Sequence, residues 1–177
     1  MKDYILKNGL VFGAISIILN SASYSLGVDF FMSPALLISK IVLYVTVLVF
    51  LSLNFRKIIG DYISFKDTFS VSLGIAAAGS FISTLFLILL FNFIDSNFAV
   101  LIKQATIEKL IMSLEQIPEG NAFYENIENS IEEIENTNLY SVTNQWKALI
   151  QEIFSYSVIC VILALFIKKD KPIDMSE

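Results

Sequence analysis

Apolar residues fall into four long runs along the chain, and the third run is the clearest. Residues 69–94 contain no charged side chain. At 1.5 Å rise per residue a helix of this length reaches about 39 Å, whereas the hydrocarbon core of a bilayer is about 30 Å thick. A soluble helix of that length would need a polar face, and this run has none. The pattern therefore predicts a transmembrane helix over residues 69–94.

Three further apolar runs predict transmembrane helices over residues 5–26, 34–54 and 146–167. Pro34 suits the first position of a helix, and Trp146 suits the membrane boundary. The first run, with Lys2 and Lys7 at its start, also resembles a signal peptide. We favour an uncleaved helix, because the apolar pattern continues through Leu26. The sequence thus predicts an all-α membrane protein whose residues 1–177 form a single four-span domain.

The connections differ in character. Residues 27–33 are predicted to form a tight turn, whereas residues 95–145 are polar but retain helical periodicity. Pro118, Glu119 and Gly120 predict a break in this segment, and Asn121 is a suitable N-cap for a second helix. The segment is either a solvated helical hairpin that packs its apolar stripes together, or an element that docks a partner or lies on the membrane surface, where its acidic balance disfavours anionic lipid. The tail after residue 167 is polar and is predicted to be disordered.

The basic residues predict the orientation in the membrane. The N-terminal stretch carries two Lys, residues 55–68 carry three Lys or Arg, and the tail carries three Lys, together eight of the 12 basic residues. Since Lys and Arg accumulate on the cytoplasmic side, four spans with both termini in the cytoplasm satisfy this distribution. Residues 95–145, with nine acidic residues against two lysines, are then extracytoplasmic.

Small residues spaced four apart predict close helix packing. They are Gly9 and Gly13 in the first span, and Ser72, Ala76, Ser80 and Thr84 in the third. Packing within one bundle is the simpler interpretation, and a dimer face is the alternative.

A few polar side chains interrupt the apolar runs at similar predicted depth. Lys40 lies six residues after Pro34, Glu152 lies six after Trp146, and Asn20 and Asn92 approach the same level from the other direction. A charge at the centre of a membrane helix costs about 2.5–3.5 kcal/mol. We predict an intramembrane layer in which Lys40 pairs with Glu152. The alternative is that both charges lie in the headgroup region.

Composition excludes several classes of function. With no His and one Cys, the common metal-ligand sets and the usual general base are absent, so no catalytic, cofactor-binding or metal site is predicted. The net charge of −5 argues against nucleic acid as a partner. Mean hydropathy of +0.69 indicates the lipid bilayer as the main environment. An enzyme is not expected.

Two stretches resemble one known family. They are MKDYILKNGLVFGAISIILNSASYSLGVDFFMSP and GDYISFKDTFSVSLGIAAAGSFISTLFLILLFNFID, and the likeness is clearest over residues 60–72. The family is an uncharacterised group of small bacterial four-helix membrane proteins, catalogued as a domain of unknown function. The resemblance implies a bacterial cytoplasmic (inner) membrane location and a four-span domain, and it implies no activity.

The sequence therefore favours a structural or interaction protein that presents the acidic segment to a protein partner, or that associates with itself. The alternative is a small transporter or channel, formed by one chain or by an oligomer, that uses the layer containing Lys40 and Glu152.

Overall fold

The computed structural model describes residues 1–118 and 121–169, which form helices joined by short connections. In chain order the helices are α1 (Lys2–Ser25), α2 (Val28–Phe31), α3 (Pro34–Ile58), α4 (Phe65–Leu89), a π-helical turn (Leu90–Ile94), α5 (Ser96–Leu114), α6 (Ala122–Asn136) and α7 (Val142–Ile167). Four of them, α1, α3, α4 with the π-helical turn, and α7, are long and apolar enough to cross a membrane. The prediction of an all-α protein with four spanning helices is confirmed. The disorder predicted after residue 167 is wrong at Lys169, whose backbone bridges to Ile63, and the rest of the tail, residues 170–177, lies outside the described residues. Residues 119–120 of the break predicted at Pro118, Glu119 and Gly120 also lie outside them.

Serine caps extend two of the spans beyond their apolar runs. Ser64 Oγ accepts a hydrogen bond from the Asp67 amide at 3.0 Å, so α4 begins at Phe65 rather than at residue 69. Ser141 Oγ accepts one from the Asn144 amide at 3.3 Å, and α7 begins at Val142. Such caps satisfy backbone donors that the first helical turn leaves free.

The turn predicted for residues 27–33 is instead a short helix, α2. Gly27 makes the sharp exit from α1 possible, since its φ of +91° is in the left-handed region that favours glycine. The chain then forms one helical turn and enters α3 at Pro34, where Ser33 Oγ accepts from the Leu36 amide at 3.1 Å.

Helix α4 is the centre of the bundle and packs against α1, α3 and α7. The core between them contains residues that are almost fully buried: Phe12, Leu48, Val71, Ile75 and Cys160. At one end, the backbones of Ile63 and Lys169 exchange hydrogen bonds of 3.0 and 2.9 Å, and Arg56 Nη1 donates to the Ile167 carbonyl at 3.1 Å. We call the other end, where α5 and α6 lie, the hairpin end.

An aromatic cluster fastens α5 to the bundle. The Phe98 ring lies 4.7 Å from Tyr24 and 6.1 Å from Phe91 between ring centroids. Tyr24 donates a hydrogen bond of 2.9 Å to Asp95, whose carboxylate also accepts from the Phe98 amide at 3.0 Å. The start of α5 is therefore anchored to α1 by both ring packing and hydrogen bonds.

The remainder of the hairpin is loosely attached. Among the apolar residues of α5, Phe98 and Ile102 are buried, whereas Leu101 and Ile111 are exposed. Asn121 Oδ1 accepts from the Phe123 amide at 3.0 Å, which confirms the predicted N-cap of α6. Helix α6 packs against α5 and has no buried residue.

Candidate functional site

A cleft of about 420 Å³ lies between α3 and α7. Its walls are formed by Leu37, Lys40, Ile41, Tyr44 and Val45 from α3 and by Glu152, Ser155, Tyr156 and Ile159 from α7. A smaller cavity of about 260 Å³ adjoins it, shares Leu37 and Lys40 with it, and reaches Ser33 and Pro34 at the hairpin end. The two cavities together lead from the hairpin end down to the charged side chains.

Lys40 is held on the α3 wall by helix α1. Its Nζ donates a hydrogen bond of 2.8 Å to Asn20 Oδ1 and lies 5.3 Å from the centroid of the Phe31 ring. The Asn20 amide nitrogen in turn donates to Ser83 Oγ on α4 at 3.1 Å. One asparagine thus links three helices and fixes the position of the ammonium group.

Glu152 is on the opposite wall, and its side chain is exposed to the cleft. The hydroxyls of Tyr156 and Ser80 lie beside its carboxylate. Ser80 is only 1% exposed and does not line the cleft, so its hydroxyl approaches the carboxylate from within the bundle.

The structure brings Lys40 and Glu152 to the same cleft but does not pair them directly. Across the described residues no hydrogen bond or ion pair within 4.0 Å joins them, because the Lys40 ammonium is directed towards Asn20. Asn92 is not part of this layer. Its amide donates to the carbonyls of Ile88 and Tyr140 at 3.0 and 2.9 Å. Nine residues beyond Ser83, Asn92 lies about 13 Å nearer the hairpin end.

Aromatic rings close the inner side of the cleft. The Phe12 ring lies 5.1 Å from Tyr44 and 6.1 Å from Tyr156 between centroids, and Phe12 is almost fully buried. Residues of the bundle core lie behind these rings. The cleft is therefore closed on the side that faces the bundle core, and it adjoins the smaller cavity on the side of the hairpin end.

Sequence analysis missed Tyr44 and Tyr156 as members of the site. Tyr44 follows Lys40 by four positions, and Tyr156 follows Glu152 by four. Since residues four apart share a helix face, polar side chains at this spacing on two apolar helices are the signal that identifies them.

The small residues of α4 face two neighbouring helices. A Cβ added at Gly9 would lie 2.6 Å from the Ala78 Cβ, and one added at Gly13 would lie 2.9 Å from the Ile82 Cβ. This face of α4 contacts α1. The buried residues Ser72, Ala76, Ser80 and Thr84 form the other stripe, and Ser80 and Ser72 lie beside Glu152 and Cys160 of α7. Within this chain both stripes are occupied by helix packing.

Comparison with known proteins identifies a family. The family described as "Protein of unknown function (DUF4199)" matches residues 7–169. The resemblance to a family of unknown function is therefore confirmed. No curated protein and no solved structure matches the chain.

Proposed function

Since the chain belongs to this family of proteins of unknown function, we propose a function from the geometry of the site. The protein is a small membrane transporter or ligand-binding protein that takes its ligand into the cleft between α3 and α7. The observation that carries this proposal is that Lys40 and Glu152 face one cavity without being paired to each other.

The energetics of membrane insertion support a role for these charges. A charged residue at the centre of a membrane helix costs about 2.5–3.5 kcal/mol on insertion scales and less near the ends, and charged residues within spanning segments are functional candidates by default. A structural role would be served best by pairing the two charges, which would offset part of that cost. The cleft volume of about 420 Å³ also lies within the range of about 300–1,000 Å³ that is typical of small-molecule sites.

The closure of the cleft on its inner side favours a carrier or receptor over an open channel. The rings of Phe12, Tyr44 and Tyr156 block passage in this conformation. With the orientation that the basic residues predict, the cleft opens on the extracytoplasmic side of a bacterial cytoplasmic membrane, and both termini are in the cytoplasm. The ligand then enters from outside the cell or from the outer leaflet. No catalytic step is part of the proposal.

Native mass spectrometry of the purified full chain tests this function. We expect the wild-type protein to retain a bound molecule that Glu152→Gln and Lys40→Met each release. Glu128→Gln on α6 is the matched control, because Glu128 is exposed and far from the cleft in sequence and fold. The absence of any bound mass in the wild type, or equal retention by all variants, would contradict the proposal.

A second function is favoured by the exposure of α6. This helix has no buried residue, Phe123 is 71% exposed, and its polar surface is predominantly acidic. The aromatic cluster around Phe98 anchors the base of the hairpin, while α6 packs on α5 and leaves its acidic surface exposed. The hairpin would then dock a protein partner with a basic surface. Crosslinking in native membranes tests this, and deletion of residues 98–145 should abolish the crosslinked product if the hairpin binds the partner.

A further inference from the structure

We propose that the ligand of the cleft is an aminophospholipid, whose primary ammonium group binds Glu152 and whose phosphate binds Lys40. This inference rests on the function proposed above and names the class of ligand. Three observations support this inference. The cleft opens sideways to the bilayer, the Glu152 carboxylate has no cation beside it among the described residues, and the Lys40 ammonium group across the cleft has unused hydrogen-bond donors.

The outer rim of the cleft faces lipid. Leu37 and Ile41 on α3 are 62% and 49% exposed, and both line the cavity. On α7, Ser155 and its neighbour Phe154 are both exposed close to Glu152. A groove between two spanning helices with an apolar rim is open to molecules of the bilayer, and its Leu and Ile side chains suit acyl chains. The occupant therefore comes from the membrane.

Glu152 defines the cationic part of the occupant. A carboxylate exposed in a groove that faces lipid is costly unless a cation accompanies it. Throughout residues 1–118 and 121–169 no Lys or Arg nitrogen lies within 4.0 Å of it. The acceptors that line the cleft here are the Glu152 carboxylate oxygens and the Tyr156 hydroxyl. A primary ammonium has three N–H donors for such a set, whereas the trimethylammonium of a choline lipid has none.

Lys40 defines the anionic part. An ammonium group has three donors, and the one hydrogen bond that Lys40 makes among the described residues is to Asn20. Lysine is a common ligand of phosphate as a point charge. Lys40 lies six residues into α3, about 9 Å along it from Pro34. At 25 residues α3 is about 37 Å long, so Lys40 lies about 5 Å below the hydrocarbon boundary. A lipid phosphate that enters the cleft to the same depth can therefore bind the Lys40 ammonium group.

Lipid competition on the reconstituted full chain tests the assignment. The protein is placed in vesicles of phosphatidylcholine that contain a minor fraction of phosphatidylethanolamine, extracted mildly, and its retained lipid is quantified. We expect phosphatidylethanolamine to be enriched over phosphatidylcholine. Loss of one charged hydrogen bond in Glu152→Gln should lower that enrichment by about tenfold or more. Glu128→Gln on α6 should leave it unchanged.

A second variant keeps the test valid if Glu152→Gln folds poorly. Ile41→Trp adds bulk at an exposed position on the rim and leaves both charges in place. It should release the lipid by filling the groove, while Ile38→Trp, at an exposed position that does not line the cavity, should retain it.

The other outcomes overturn the inference in distinguishable ways. Equal retention of both lipids would refute the headgroup assignment. Displacement by glycerophosphoethanolamine as effective as that by the intact lipid would show that the ligand is a soluble zwitterion, with the cleft function intact. A dimer that persists after lipid removal and is dissociated by Ile41→Trp would show that a second copy fills the groove. The absence of any bound molecule in the wild type would remove the proposed function itself.

Discussion

Lys40 Nζ donates a hydrogen bond of 2.8 Å to Asn20 Oδ1, which connects the second turn of α3 to the last turns of α1. Helices α1 and α3 have few other polar contacts within the membrane-spanning region. Besides this bond, the Tyr4 hydroxyl donates to the Leu51 carbonyl at 2.8 Å near the opposite end. Asn20 is therefore the side chain that positions the ammonium group in the cleft.

Asn20→Leu should destabilise the bundle by about 1–3 kcal/mol, because it leaves the Lys40 ammonium without its acceptor and Ser83 without its donor. Adding Lys40→Met should restore part of the loss, since the stranded charge is removed. The coupling energy expected for side chains in contact is about 0.5–3 kcal/mol. Unfolding midpoints of the two single variants and the double variant in detergent measure it. Strict additivity would show that the bond contributes nothing.

The coupling between Lys40 and Glu152 should be smaller than that between Lys40 and Asn20. The two charges share a cleft without a direct contact, and the Lys40 ammonium is directed towards α1. The same double-mutant cycle with Lys40→Met and Glu152→Gln measures this coupling in lipid-free detergent. A coupling energy equal to that of the Lys40 and Asn20 pair would mean that the charges pair directly in solution.

Close packing of α1 on α4 should make Gly13 intolerant of side chains. A Cβ there would lie 2.9 Å from the Ile82 Cβ and 3.2 Å from the Gly79 carbonyl oxygen. Overpacking of a tight contact costs about 1–3 kcal/mol, so Gly13→Val should lower the unfolding midpoint clearly. Ala14→Val is the matched control, since the neighbouring Ala14 is exposed. Equal effects of the two substitutions would show that helix propensity, and not the interface, determines the outcome.

The existence of the four spans was predictable because hydropathy is a local property of each run. The start of α3 at Pro34 was predictable too, whereas the starts of α4 and α7 were not, because Ser64 and Ser141 cap these helices beyond the apolar residues. The α2 helix was missed for a related reason. Residues 27–33 are too few for periodicity, and Gly27 was compatible with either a turn or a helix start.

The site was only partly predictable because residue counting predicts how deep a side chain lies along its helix, but not which neighbouring helix it faces. Counting six residues from Pro34 and from Trp146 placed Lys40 and Glu152 at similar depth, and both line the cleft. Because α7 begins at Val142, Glu152 lies ten residues into its helix and Lys40 six into its own. Which neighbour each side chain meets depends on how the helices rotate against one another, and that is set by packing of the whole bundle. The same limit explains why Asn92 was assigned to the layer although it binds the Tyr140 carbonyl at the base of the hairpin.

The predicted orientation is testable with single cysteines. Cys160 is fully buried, so the native thiol should not react with a membrane-impermeant maleimide. We expect Glu128→Cys on α6 to be labelled in intact cells and Lys66→Cys at the start of α4 only after the membrane is opened. Labelling of both positions from the same side would contradict the arrangement of four spans with cytoplasmic termini.

Tyr140 should make the hairpin end sensitive to alkaline pH. Burial raises the pKa of Tyr140 from its usual 10.0 to about 12. Because the folded state favours the protonated phenol, the stabilisation is fully present below pH 10 and is lost as the pH rises from about 10 through about 12. Its ring lies 4.4 Å from Phe91 between centroids, so ionisation would place a charge in the aromatic cluster.

Tyr140→Phe isolates this effect, since it preserves the ring packing and the backbone carbonyl that accepts from Asn92. Hydrogen exchange of α5 and of the π-helical turn, followed from neutral pH to about pH 12, should accelerate more in the wild type than in Tyr140→Phe. All other tyrosines are common to both proteins, so the difference between the two curves belongs to Tyr140. Superimposable curves would show that its hydroxyl is solvated and that the aromatic cluster does not seal the base of the hairpin.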